Sequence, residues 1–229
     1  MKTKIIATIG PSSIQYSVLK KMSKAGMDIA RINTKYGTIK QHLQIVNSLN
    51  KIKKCKILFD IIGLKKVDWL KGQNFDYLAV SFTETALQIK KLRKLFYPKK
   101  IKIISKIETK KGIKNIDALI NESDGIMVAR GDLGDNISFE KIPIAQKLII
   151  RKCNKKKKMD ITATEMLLSM TISKKPLRAE VSDIANAVLD GSDALMLSEE
   201  TAIGKYPVLA VKTMAKIIKE TEKSRHLLK

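Results

Sequence analysis

Short apolar runs recur along the whole sequence, and each is followed by a turn and then by an amphipathic stretch. The runs are rich in isoleucine and valine at consecutive positions, which is typical of strands covered on both faces. The amphipathic stretches place apolar residues three and four positions apart, the spacing of a helix with one buried face. The pattern therefore predicts parallel strands that alternate with helices.

The predicted strands are residues 4–9, 28–32, 56–60, 77–81, 101–107, 125–129, 159–163 and 194–197. The predicted helices are residues 14–25, 38–51, 66–71 (a short piece), 85–95, 113–122, 142–154, 178–189 and 208–222. Eight such units in 229 residues indicate an α/β fold, a TIM-type (β/α)8 barrel forming a single domain over residues 1–229. A doubly wound sheet remains the alternative, although no glycine-rich G-x-G-x-x-G follows the first strand.

The charge balance raises the question of a nucleic-acid partner. Basic residues number 45 against 22 acidic ones, which gives a net charge of +23. Only six of the basic residues are arginine, and aromatic residues make up 5% of the chain without interleaving with the basic runs. Nucleic-acid binders favour arginine forks and stacking aromatics, so the composition argues against this partner and is interpreted as a drift toward lysine.

Cysteine, histidine and hydropathy narrow the class of protein further. Two cysteines exclude a disulfide scaffold, and two histidines argue against a zinc site. No apolar run approaches the roughly 18–20 residues that cross a bilayer, and the N-terminal apolar stretch is too short for a secretory signal. We therefore expect a cytoplasmic protein without a membrane partner.

Polar residues cluster where the predicted strands end. In a barrel of this type the active site lies at the carboxyl ends of the strands. Glu108 and Asp132 follow neighbouring strands, and a few carboxylate oxygens are what Mg²⁺ takes from a protein. A glycine-rich turn at residues 128–134 offers free backbone N–H groups to an anion. The polar set is Arg31, Asn33, Asp60, Ser81, Lys106, Glu108, Arg130, Asp132, Thr162, Thr164, Ser198 and Glu200. Together they predict a metal-assisted site for a phosphorylated or carboxylated small molecule.

Several of these residues lie in longer motifs, and with them the sequence resembles the pyruvate kinase family over nearly its whole length. The matching segments are residues 104–108 (ISKIE), 124–134 (DGIMVARGDLG), 161–167 (ITATEML), 178–188 (RAEVSDIANAV) and 196–202 (MLSEETA), with 3–13 and 26–33 near the N-terminus. The resemblance implies the glycolytic transfer of a phosphoryl group from phosphoenolpyruvate to ADP, giving pyruvate and ATP.

The resemblance also implies a role for each matching position. Lys106 would neutralise the phosphoryl group and the enolate oxygen, and Arg31 would reach the phosphate. Thr164 would bind the substrate carboxylate and help to supply the proton, and Ser198 would extend the proton network. The remaining implied ligands are Glu108 and Asp132 for Mg²⁺, the backbone N–H groups of Ala129, Arg130 and Gly131 for the carboxylate, and Asn33 for substrate.

The sequence departs from the family pattern in three places. A lid domain is expected after the third strand, but residues 63–77 form only a short connection, and the family's C-terminal domain is also expected to be absent. Asn33 and Asp60 match ligands of a monovalent-cation site, but Lys35 replaces a serine there. Lys65 replaces a glutamate. K⁺ is therefore a doubtful cofactor, and the ammonium of Lys35 or Lys65 is expected to substitute for it.

Three interpretations stay open at this point. The first is a minimal pyruvate kinase, and the second is a degenerate barrel that binds phosphoenolpyruvate or pyruvate with Mg²⁺ without phosphoryl transfer. The third is a non-catalytic scaffold in which the charged residues form ion pairs only and Arg31 merely pairs with Asp60 or Glu108. Trp69 and Tyr77 are expected to cover the barrel where the lid is lacking. A monomer and a homo-oligomer are both compatible with the sequence.

Overall fold

The structure, a computed structural model, describes residues 2–52, 54–63 and 67–228. Eight parallel strands form a closed barrel in chain order, with β8 paired to β1. The strands are β1 Lys4–Thr8, β2 Ile29–Asn33, β3 Lys56–Ile62, β4 Tyr77–Ser81, β5 Lys102–Ile107, β6 Gly125–Ala129, β7 Met159–Ala163 and β8 Ala194–Leu197. The predicted (β/α)8 barrel is confirmed.

Helices cover the outside of this barrel. They are α1 Tyr16–Ala25, α2 Ile39–Asn50, α3 Ala86–Phe96, α4 Lys110–Lys114, α5 Ile116–Glu122, α6 Arg130–Gly134, α7 Ile142–Lys155, α8 Arg178–Asp190, α9 Glu199–Ala202 and α10 Pro207–Ser224. The connection from β3 to β4 contains a short 3₁₀ helix, Asp68–Gly72. None of the helices in the described ranges is long and apolar enough to span a bilayer.

The residues of each strand alternate between the barrel interior and the helix layer. The apolar interior consists of Ile6, Ile29, Leu58, Tyr77, Ala79, Ile104, Met127, Ile161, Ala163, Ala194 and Met196. Tyr77 is 2% exposed inside the barrel, so the expectation that it covers the mouth is wrong. Trp69 is half-buried and packs on Phe59 and His42.

A repeated aspartate motif closes the amino-terminal end of the barrel. An aspartate stands directly before each even-numbered strand, and its carboxylate accepts the N–H of the second residue of the preceding strand. The four bonds run from Ile5 to Asp28 (2.8 Å), Ile57 to Asp76 (2.9 Å), Ile103 to Asp124 (2.8 Å) and Asp160 to Asp193 (3.2 Å). These bonds satisfy backbone N–H groups near the strand starts. They also connect β1 to β2, β3 to β4, β5 to β6 and β7 to β8 at the end opposite the candidate site.

The fourth repeat differs because the residue that donates its N–H, Asp160, has a buried carboxyl group. Its Oδ1 accepts a hydrogen bond from Ser192 Oγ at 2.6 Å, and Ser192 Oγ also lies 2.7 Å from Thr162 Oγ1. Asp160 Oδ2 is buried without a hydrogen-bond partner among the described residues. Burial raises the pKa of Asp160 to about 7. Thr162 belongs to this outward-facing network, so the prediction that it lies among the polar residues of the barrel mouth is wrong.

Candidate active site

Lys106 is the centre of a buried ion cluster at the carboxyl end of β5. Its ammonium lies 2.9 Å from Glu108 Oε1 and 3.2 Å from Asp60 Oδ2, and it donates to Ser81 Oγ at 2.8 Å. The Lys106 residue is 6% exposed. Two carboxylates and one hydroxyl, on β3, on β4 and directly after β5, therefore surround the ammonium group and hold its charge at one position.

Arg31, the middle residue of β2, brings a second cation to the same carboxylate. Its Nε and Nη2 lie 2.9 and 2.8 Å from Asp60 Oδ2, and its Nη1 donates to Thr8 Oγ1 at 2.9 Å. The guanidinium is thus oriented before any ligand binds, and the expected ion pair with Asp60 is present. Thr8 is not among the residues predicted from the sequence for the site, although alternation from the inward-facing Ile6 places it at the barrel mouth.

Glu108 supplies the oxygen best suited to a divalent cation. Its Oε2 accepts the backbone N–H of Phe82, whereas buried Oε1 accepts no hydrogen bond within the described residues and has only the nearby Lys106 charge. Burial raises the pKa of Glu108, the charge of Lys106 opposes that rise, and the carboxylate of Asp132 adds to it. The two carboxylates therefore lie within electrostatic reach of each other.

Asp132 lies on the exposed first turn of α6. Among the described residues, no three His, Cys, Asp or Glu side chains gather into a metal-holding group. Glu108 and Asp132 are the two carboxylates predicted for a divalent ion. That number fits Mg²⁺, which usually keeps several waters and binds substrate oxygens.

Thr164 faces the start of α6 from the end of β7. Its Oγ1 accepts the N–H of Gly131 at 2.9 Å and donates to Ala163 O at 2.6 Å. One of the three N–H groups expected to bind a substrate carboxylate is therefore engaged by Thr164. The side chain of Arg130 reaches Gln146 and Asp183 on the outer helices, while its backbone opens α6 directly after Ala129.

The Glu200 side chain connects the segments that follow β7 and β8, and Ser198 directly follows β8. The Glu200 carboxylate is fully buried and accepts the N–H groups of Leu167 at 2.9 Å and of Ser198 at 2.6 Å. Burial raises the pKa of Glu200, and these two hydrogen bonds oppose the rise. The Ser198 hydroxyl is buried and has no hydrogen-bond partner in the described ranges, so it is available to a ligand or a water.

A cavity of about 500 Å³ lies beside this cluster, between the ends of β1, β2 and β8 and helix α2. Arg31, Asn33 and Ser198 line it on the polar side, and Pro11 and Tyr36 contribute to its wall. It is large enough for a small organic ligand and brings that ligand against the Arg31 guanidinium.

The candidate monovalent-cation ligands are only partly assembled. Asn33 and Asp60 are register partners on β2 and β3, but the Asn33 side chain accepts the N–H of Lys35 at 3.1 Å. The Lys35 ammonium lies 5.6 Å from the centre of the Tyr36 ring and makes no ion pair with Asp60. The ammonium beside Asp60 is that of Lys106, and Lys65 lies outside the described residues.

Comparison with known proteins finds one matching protein family and several similar proteins. The family described as "Pyruvate kinase, barrel domain" matches residues 1–65 and 64–211. The pyruvate kinase of Thermococcus litoralis is 34% identical over 337 aligned positions, which cover 99% of this chain and 71% of that protein. That of Methanocaldococcus jannaschii is 48% identical over 164 positions, covering 71% of this chain and 37% of that protein. That of Geobacillus stearothermophilus is 50% identical over 155 positions, covering 66% of this chain and 26% of that protein.

Proposed function

The chain belongs to the pyruvate kinase family, and on that premise we propose that it transfers the phosphoryl group of phosphoenolpyruvate to ADP, giving pyruvate and ATP. The observation that carries the proposal is the Lys106 ammonium, buried at the barrel mouth and held by Glu108, Asp60 and Ser81. Enzymatic phosphoryl transfer depends on positioning and on neutralising negative charge, and a fixed buried cation supplies both.

Arg31 and Lys106 would act as a pair on the transferring group. Both cations contact Asp60 Oδ2, so their charges converge on one side of the mouth. A substrate phosphate carries more charge than one carboxylate and can draw both cations toward its oxygens. Asp60 would then keep them oriented while transfer proceeds, which preserves the preorganised field that stabilises developing charge.

The divalent ion would be held by Glu108 and Asp132. When bound, Mg²⁺ would neutralise charge on the phosphoryl and enolate oxygens. The fit rests on the Glu108 Oε1 atom, which is buried and accepts no hydrogen bond in the described part of the chain. Lys106 lies 2.9 Å from this oxygen and would share it with the ion.

Binding of the substrate carboxylate and protonation of the enolate would take place on the opposite side of the barrel mouth. The N–H groups of Ala129, Arg130 and Gly131 would bind the carboxylate together with Thr164, and Gly131 would exchange its bond to Thr164 Oγ1 for one to the substrate. After transfer, the enolate must take up a proton at its methylene carbon. The Thr164 hydroxyl is held in a fixed orientation, and the free Ser198 hydroxyl would connect it to water.

ADP would occupy the 500 Å³ cavity, with its phosphates toward Arg31 and its base toward the Tyr36 wall. Phosphoenolpyruvate, ADP or ATP, and pyruvate are then the ligands of one continuous site. A cytoplasmic location and a homo-oligomeric state stay predictions.

A second candidate function is binding of phosphoenolpyruvate or pyruvate with Mg²⁺ but without transfer. The short β3–β4 connection favours it, because the 3₁₀ helix Asp68–Gly72 is the one regular element described between those strands. Ile62 and Phe82 at the rim are 49% and 45% exposed. Water that reaches the transferring group weakens every charge interaction there.

A coupled assay of pyruvate formation separates the candidates. Phosphoenolpyruvate and Mg²⁺ are supplied with and without ADP to the intact chain, to Lys106→Met and to a control, Lys147→Met, which removes an exposed lysine on α7. ADP-dependent turnover that only Lys106→Met abolishes supports the kinase. Mg²⁺-dependent oxalate binding without turnover supports the second candidate, and absence of both contradicts the two together.

A further inference from the structure

The Arg130 side chain is unusual in that all five of its N–H donors are engaged within the protein. Arg130 Nε donates to Ala163 O at 3.1 Å, and Nη2 donates to Thr164 O at 2.6 Å and to Met166 Sδ at 2.9 Å. Nη1 donates to Gln146 Oε1 at 3.2 Å and to Asp183 at 2.9 Å. The side chain is 14% exposed, and its charge pairs with Asp183 instead of facing the barrel mouth.

Two of these bonds act on the backbone of Thr164. The Ala163 and Thr164 carbonyls belong to the two peptide planes that flank the Thr164 Cα atom. Because one rigid, planar guanidinium holds both oxygens, it restrains the two torsion angles between those planes.

That restraint opposes a real conformational cost. Thr164 has φ 72° and Glu165 has φ 53°, both in the left-handed region that a β-branched residue such as threonine avoids. Conformations of this kind are strained and persist only where their surroundings enforce them. The Arg130 guanidinium, which lies outside the loop, donates hydrogen bonds to both peptide oxygens, those of Ala163 and Thr164.

The same segment orients the Thr164 hydroxyl. Gly131, the residue after Arg130, donates its N–H to Thr164 Oγ1 at 2.9 Å. The backbone of one residue and the side chain of its neighbour therefore act on the same threonine. The far end of the guanidinium is anchored on α8 by Asp183, whose Oδ2 lies 2.7 Å from Nη1.

We propose that Arg130, anchored by Asp183, is a positioning residue that holds Thr164 in its left-handed conformation and so keeps the Thr164 hydroxyl beside the start of α6, where the substrate carboxylate would bind. The inference rests on the proposed function for its catalytic consequence, but its structural part can be tested without turnover. The Arg130 side chain touches no substrate in this arrangement and acts through Thr164.

The chain provides a matched control on the same helix. Asp183→Asn removes the charge that anchors Arg130 of α6 on α8. Asp190→Asn removes the charge that pairs with Lys147 at 2.6 Å, between α8 and α7. Both are measured in the full chain, alone and combined with Thr164→Ala, for kcat, for KM and for amide hydrogen exchange at Gly131. Arg130→Lys, which keeps the charge but loses the fork, is a second test.

We expect Asp183→Asn and Arg130→Lys to lower kcat about tenfold with KM changed less than twofold. The same changes should lower kcat less than twofold in the Thr164→Ala background, and Asp190→Asn should have no effect in either. An equal fold-change with and without the threonine hydroxyl would overturn the proposal. If the unaltered chain shows no turnover, the proposed function fails, and the exchange data decide. Tenfold faster exchange at Gly131 in Asp183→Asn alone supports the positioning role, and unchanged exchange refutes it.

Discussion

The buried Asp160 carboxyl should make the stability of the barrel depend on pH. Its pKa rises from an ordinary 3.8 to about 7, chiefly through burial, and the neighbouring Asp193 charge adds to the rise. In the unfolded chain the group ionises near its ordinary pKa, so between pH 4 and 7 the unfolded state binds fewer protons than the folded state. Stability contributed by this group is therefore greatest in acid and falls as the pH rises through that window.

The magnitude follows from the two pKa values. Each pKa unit corresponds to about 1.4 kcal/mol, so a rise from 3.8 to about 7 lowers the free energy of unfolding by about 4 kcal/mol at pH 8 relative to pH 3. Asp160→Asn removes the titration. Its amide keeps an acceptor for Ser192 but places a donor where Oδ2 has no described partner, which costs about 1–3 kcal/mol at every pH.

Urea unfolding at several pH values from 4 to 8 tests this expectation. All groups common to both chains cancel in the difference between Asp160→Asn and the unaltered chain, so that difference isolates the one carboxyl. We expect the variant to be the less stable chain at pH 4 and the more stable one at pH 8, with the difference changing by about 4 kcal/mol. Asp117→Asn, which removes an exposed acid paired with Lys152 instead of a buried one, is the control. A difference for Asp160→Asn that stays constant within about 1 kcal/mol across the range refutes the reasoning.

Two further outcomes follow from the site and the packing around it. Turnover in sodium buffer should match that in potassium buffer within about twofold, because Arg31 and Lys106 already neutralise Asp60, and strong activation by potassium would contradict this. Gly204→Ala should lower the free energy of unfolding by about 1–3 kcal/mol, since its Cβ would lie 2.5 Å from Glu200 O, and a thermal midpoint equal to that of the unaltered chain would show that the loop moves freely.

Several strands could be predicted to the residue from the sequence alone. The predictions for 77–81, 125–129, 159–163 and 194–197 coincide with β4, β6, β7 and β8. A strand of a closed parallel barrel is buried on both faces, so the apolar run in the sequence begins and ends almost where the strand does. Cys153 lies on the buried face of α7, and burial raises the pKa of its thiol.

Helix boundaries were less predictable, because they depend on local caps. The helix expected at 113–122 is divided into α4 and α5 at Asn115. Thr109 begins α4 by accepting the N–H of Gly112 at 3.0 Å. The short helices α6 and α9 were not predicted, since five and four residues are too few to show a helical period.

The sequence by itself determined which chemical groups stand at the strand ends, because strand order and the parallel barrel bring those ends to one rim. Only the tertiary structure decided how they pair. Asp60 lies between Arg31 and Lys106, Arg130 turns away from the mouth to brace Thr164, and Lys35 points to Tyr36. A contact between strands depends on register and on barrel closure, and a side chain such as that of Arg130 can reach either the mouth or the helix layer. Local sequence patterns set neither of these, since both result from packing distant parts of the chain against one another.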